Sequence, residues 1–116
     1  MEFEHYTVAL LVTNPDAPEL DEAAAAALQD AHLSHLADLH DAGHLLAVGP
    51  LADPAGELRG LSLLRVDVDE ARRLKEADPA VQAGAFLLRI MPWSTPAGAL
   101  HFTQTRLPRS MADVHS

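Results

Sequence analysis

DEAAAAALQDAHLSHLADLHDAGHLLAVGP, residues 21–50, decides how the rest of the chain is read. Asp21 offers a short acceptor side chain just ahead of Ala23 to Ala27, a run of the residue with the highest helix propensity. The pattern predicts a helix that continues to Ala42 and stops at Gly43, where glycine suits the left-handed position after the last turn. At about 100° per residue, Leu28, Leu36 and Leu39 share one face with Ala24, Ala31 and Ala42, and His32 and His35 fall inside that stripe. Asp30, Ser34 and Asp38 face away, with Leu33 and His40 on a flank. The apolar run Leu45 to Val48, ended by Gly49-Pro50, then reads as a short strand.

Upstream, His5 to Val12 is apolar and β-branched and is stopped by Asn14-Pro15-Asp16, which predicts a first strand. Downstream, Gly60 to Val66 predicts a strand. Asp69 is expected to cap a second helix over Glu70 to Ala77, limited by Pro79. Phe86 to Ile90 predicts a fourth strand. The order β-α-β-β-α-β defines an α+β, ferredoxin-like fold, an antiparallel sheet with two helices on one face. The first and fourth strands are apolar on both faces. The face without helices therefore needs a cover, and a second copy of the chain in a dimeric, α+β barrel-like packing is the expected one. Residues 1–95 form this domain. Pro92-Trp93 to Gly98 is expected as a loop, and residues 96–116 as a C-terminal extension with a short strand over Ala99 to Thr105 and a mobile tail from Arg106.

A chain of 116 residues suffices for one domain with a real core. The formal net charge of −9 argues against a nucleic-acid partner, which requires clustered cations. The lack of cysteine removes disulfides, thiolate metal sites and cysteine nucleophiles together. No apolar run is long enough for a bilayer, and the acidic start Met1-Glu2-Phe3-Glu4 lacks the basic opening of a secretion signal, so no membrane partner and a cytoplasmic location are expected.

Three segments, in this order and spacing, resemble the YCII-related family: His32-Leu33-Ser34-His35-Leu36 through Asp41-Ala42-Gly43-His44-Leu45-Leu46; Ala47-Val48-Gly49-Pro50-Leu51; and Glu76-Ala77-Asp78-Pro79-Ala80-Val81-Gln82-Ala83-Gly84, followed by a strand and Pro92-Trp93. The resemblance covers about residues 5–93 and implies a ferredoxin-like fold, dimers, and an active site of one His and one Asp. Those map onto His32 and Asp78.

Read by themselves, the same residues leave alternatives open. His32 stands four residues after Leu28 and four before Leu36, so it points at the sheet, either as a general acid or base or as a satisfied core histidine. Asp78 precedes Pro79 and suits the N-cap of a turn over Pro79 to Ala83. It can also orient His32, and a carboxylate has acceptors for both tasks. His35, one turn from His32, is expected in the pocket wall. A metal site of His32, His35, His40 and His44 is disfavoured, because His40 points more than a quarter-turn from His35 and His44 lies past the helix stop. Gly49 and Pro50 form either a plain turn or part of the pocket lining. Trp93 is expected as a pocket wall, while Arg59 and Arg65 could bind an acidic substrate but read by default as surface residues. No phosphate loop, dinucleotide glycine pattern or serine nucleophile motif occurs.

The expectation is a small cofactor-free enzyme in which His32 and Asp78 transfer a proton on a small organic molecule, as an isomerase or lyase. The alternative is a non-catalytic dimeric module that binds a small molecule or serves another enzyme. If His32 were sealed in the core and bonded to backbone, a purely structural protein would be preferred.

Overall fold

The structure is a computed structural model that describes residues 1–115. Its elements are β1 (Phe3–Thr13), α1 (Glu22–Asp41), β2 (Leu45–Pro50), β3 (Leu58–Leu64), α2 (Val68–Glu76), α3 (Pro79–Gln82), β4 (Phe86–Pro96) and α4 (Met111–Val114). The strands form one antiparallel sheet in the order β2-β3-β1-β4, the ferredoxin-like arrangement.

The ends of α1 are local chemistry. The Asp21 side chain accepts from the Ala24 N–H at 2.7 Å. Gly43 has φ 83°, and its N–H and that of His44 close on the carbonyls of His40 and Leu39. The helix lays Leu36 and Leu39 onto a core with Ala9 of β1, Leu45 of β2, Leu64 of β3, and Ala71 and Leu74 of α2. Strand alternation puts Thr7, Ala9 and Leu11 on this helix-covered face, and Tyr6, Val8, Leu10 and Val12 on the other.

Several expectations change. The cap of α2 is Asp67, whose carboxylate accepts from the Glu70 N–H at 2.8 Å, so the helix starts two residues before the position read from Asp69. Strand β3 likewise starts and ends two residues early. The largest difference is β4, which runs on through Pro92 and Trp93, where the prolines had suggested a loop. It is an edge strand, and one row of its N–H groups faces away from the sheet, where a proline forfeits no ladder bond. No strand forms over 99–105. The terminal segment is docked on α1 instead: the Arg109 guanidinium donates to Asp38 at 2.8 Å and Asp41 at 2.7 Å, and the Met111 N–H donates to Asp30 at 2.8 Å. Leu107 packs against the core. Among the described residues no helix is long and apolar enough to cross a membrane.

Candidate active site

Asp78 stands between α2 and α3, and both of its oxygens are committed. Oδ1 accepts from the Ala80 N–H at 2.9 Å, the cap that lets Pro79 open α3. Oδ2 lies 2.7 Å from Nδ1 of His32, which reaches it from the middle of α1. A carboxylate only accepts, so Nδ1 is the donor, and a neutral ring carries its lone pair on Nε2. Both residues are buried, Asp78 fully and His32 to 7% exposure. Burial pushes the Asp78 carboxyl up, but the hydrogen bond and charge of His32, the Ala80 N–H and the field of Lys75 outweigh it and hold the group below the ordinary aspartate value.

A cavity of about 440 Å³ lies against His32, within the size range of small-molecule sites. Gln29, His32, Leu33 and Leu36 of α1 form one wall, and Val48, Gly49 and Pro50 of β2 form another. Leu11, the β3 residues from Arg59 to Ser62, and Phe86 close the sheet side. The terminal segment supplies Leu107, Pro108, Met111 and Val114. Asp78 lies behind His32 and outside the lining, so the imidazole separates the carboxylate from the cavity. The ring that reaches the cavity is also steadied by Phe86, 6.3 Å away between centroids.

Of the sequence-expected residues, the structure brings together His32, Asp78, Gly49 and Pro50. It does not bring in His35, whose Nε2 donates to the Leu74 carbonyl at 3.0 Å and ties α1 to α2. The helical stripe is broad enough that His35 faces α2 while His32 faces the cavity. Trp93 is also elsewhere. It pairs with Tyr6 in the β1–β4 ladder, with ring centroids 6.0 Å apart, and so lies on the face without helices. His40 bonds to the Leu45 and Thr105 carbonyls. Arg59 is exposed, as a surface arginine is, and it also lines the cavity.

Sequence reading missed Lys75 and Ser62. Lys75 is the only lysine of the chain, and it is fully buried. Its Nζ donates to Ser62 Oγ at 3.1 Å, and both residues line the cavity. A usable signal was present. Lys75 follows Ala71 by four and Leu74 by one, the spacing of the buried face of α2. Desolvation holds its ammonium below the ordinary lysine value of 10.5, a pull that Asp78 opposes. Lys75→Met is therefore expected to raise the unfolding free energy by roughly 1–3 kcal/mol at neutral pH, since a similar apolar volume replaces a buried charge. Between the depressed folded value and 10.5 the unfolded chain binds more protons than the folded one, so wild-type stability rises with pH there and the gap to the variant closes. Urea titrations of both proteins at several pH values check this, and a destabilised Lys75→Met would refute it.

The fold and site define a small α+β protein with a shielded His–Asp pair behind a largely apolar cavity. A model of the YCII-related domain matches residues 7–94, and the chain belongs to the YCII-related family. It is similar to 5-chloro-2-hydroxyhydroquinone dehydrochlorinase (TftG) from Burkholderia phenoliruptrix AC1100, solved in complex with 2,5-dihydroxybenzoquinone. The TM-score is 0.53 and the identity 20%, over 76% of this chain and 92% of that one, a likeness of fold. No functionally curated protein matches the chain.

Proposed function

We propose that this protein is a small cofactor-free enzyme that uses His32 and Asp78 to move a proton on a small organic molecule, in an isomerisation or elimination. The observation that carries this reading is the 2.7 Å bond between His32 Nδ1 and Asp78 Oδ2, with His32 in the cavity wall and Asp78 behind it. In this arrangement Nε2 takes a proton from a C–H or O–H acidified by a neighbouring carbonyl or hydroxyl of the substrate. Asp78 stabilises the imidazolium and keeps its tautomer. The proton then returns to a different atom of the same molecule, or the electron pair left behind expels a leaving group. The second course is consistent with a fold relative named as a dehydrochlorinase.

The test is a panel of enolisable ketones, hydroquinols and halogenated hydroquinols. Solvent deuterium uptake is read by NMR and halide release by ion chromatography. Exchange or elimination above the buffer rate supports the reading. Thermal stabilisation by panel members with no reaction would replace it with a non-catalytic binding module.

The same proposal includes a homodimer. Leu87, Met91 and Trp93 of β4 are exposed on the face without helices, beside Val8 and Leu10 of β1 and Leu61 of β3. Arg89, opposite Leu10 and 3.3 Å from Glu57, stands among them; an otherwise apolar sheet face of this kind calls for a partner surface, and a second copy offers the same one. Light scattering is expected to return twice the chain mass, and Leu87→Glu combined with Met91→Glu the mass of one chain. A monomer mass independent of concentration in the wild type would refute the dimer.

A further inference from the structure

The cavity is electrically unlike the rest of the molecule. The chain has 17 aspartates and glutamates and a net charge of −9, yet none of those carboxylates lines the cavity among the described residues. Its charged lining residues are Lys75 and Arg59. Lys75 is the sharper case. Lysine is almost never fully buried unless its charge is paired, and among the described residues no carboxylate stands within ion-pair distance of its Nζ. Asp78, whose field reaches Lys75, already gives one oxygen to His32 and the other to Ala80. The ammonium has three N–H donors, and among the described residues its one hydrogen-bond partner is the neutral Ser62 hydroxyl at 3.1 Å. Leu11, Leu36 and Phe86 are among the apolar residues that make up most of the cavity wall.

We infer that Lys75 and Ser62 form the oxyanion-binding end of the cavity, and that the ligand is a small, mostly apolar acid presenting an ionised oxygen (a carboxylate, enolate or phenolate). This deepens the proposed function and rests on reading the cavity as a ligand site. Lys75 has no exposed surface of its own, so contact requires its flexible stem to swing the ammonium toward the cavity; an anion met there gives the buried charge the partner that the described residues do not supply. In proton transfer by His32, the same site would hold negative charge as it develops on a substrate oxygen. Lys75 would then position and stabilise the substrate while His32 handles the proton.

The full chain, labelled with 13C at lysine Cε, yields one lysine signal, because Lys75 is the only lysine. Two anionic probes, 1-naphthoate and 4-nitrophenolate, are titrated against the neutral isosteres 1-naphthamide and 4-nitroanisole, with affinity read by calorimetry. The expected result is that at least one anion binds about tenfold or more tightly than its neutral partner, a factor worth about 1.4 kcal/mol, and moves the lysine signal. Lys75→Met should remove that preference while leaving the neutral isostere within about twofold, which separates loss of the charge from loss of the fold. His32→Gln should retain the anion preference. Anion binding without any movement of the lysine signal, or equal affinity for both members of each pair, overturns the inference and leaves the proposed proton transfer standing. Failure of all four probes to bind below about 10 mM, equivalent to about 2.7 kcal/mol, overturns the inference and counts against the cavity as a ligand site. Anion binding at Lys75 in a protein that catalyses nothing on the panel above upholds the inference and defeats the proposed reaction.

Discussion

Asp78→Ala is expected to lower the unfolding free energy by about 3–5 kcal/mol, the usual cost of leaving one partner of a buried ionic hydrogen bond alone. Two contacts disappear at once. His32 keeps its buried Nδ1 with no acceptor at 2.7 Å, and the Ala80 N–H loses the cap that starts α3. Since whole domains are stable by only about 5–15 kcal/mol, this variant sits near the limit of folding. Asp78→Asn keeps an oxygen for one of the two contacts and is expected to lose roughly 1–2 kcal/mol, so the pair remains measurable even if the alanine variant does not fold. The acid limb carries the same information. The folded carboxyl is held below the ordinary aspartate value of 3.8, so the unfolded chain takes up its proton first as pH falls. The contribution is complete above that value and is lost as pH drops through the depressed folded one. Urea midpoints measured from neutral pH down to about pH 3 should therefore show a steeper acid loss for wild type than for Asp78→Asn. An Asp78→Ala protein as stable as wild type would mean that the His32–Asp78 bond does not form in solution.

His32→Gln is expected to reduce turnover of whichever panel member reacts by about 10²–10⁴-fold, the range associated with loss of a general base. Glutamine fills a similar space and can still bond to Asp78, but it has no group that titrates near neutrality. KM should change little, because the apolar walls and the Lys75 end are intact. Asp78→Asn should also slow turnover with most of the stability retained, since a neutral amide neither stabilises the imidazolium nor enforces Nδ1 protonation. Initial rates of deuterium exchange or halide release for the three proteins measure both effects. A His32→Gln enzyme within about threefold of wild type, well short of the loss expected for a general base, would rule out His32 as the proton-transfer group.

How far the sequence carried the site depends on how local each determinant is. Helical phase placed His32 on the inner stripe of α1, and the Asp-Pro pair marked Asp78 as a cap. The family pattern joined the two. The 2.7 Å approach itself spans 46 positions of the chain and depends on how α1 packs against the α2–α3 junction. His35 shows the limit of phase. Periodicity assigned it to the same stripe as His32, yet a stripe of that width meets two different neighbours, and the Leu74 carbonyl claims His35. Trp93 was misplaced for a related reason. Prolines on both sides of it spoke for a loop, and only the edge position of β4 made them compatible with a strand.

Lys75 is where sequence reading failed most usefully. A lysine on a short polar helix defaults to the surface, because its flexible stem lets the ammonium reach water. Whether it can do so is decided by β3, which sets Ser62 beneath it, and by the cavity walls drawn from α1, the sheet and the terminal segment. By itself, then, the sequence determined the helix that bears His32, its caps at Asp21 and Gly43, the β-α-β-β-α-β order and the residues able to do proton chemistry, all of which follow from near-neighbour periodicity and backbone preference. The tertiary structure alone decided which of those residues share a cavity, that the terminal segment covers α1, and that the one lysine is buried against the cavity. Those outcomes come from burial by elements distant in the chain, and burial is what sets the hydrogen-bond partners and the charge balance of a site.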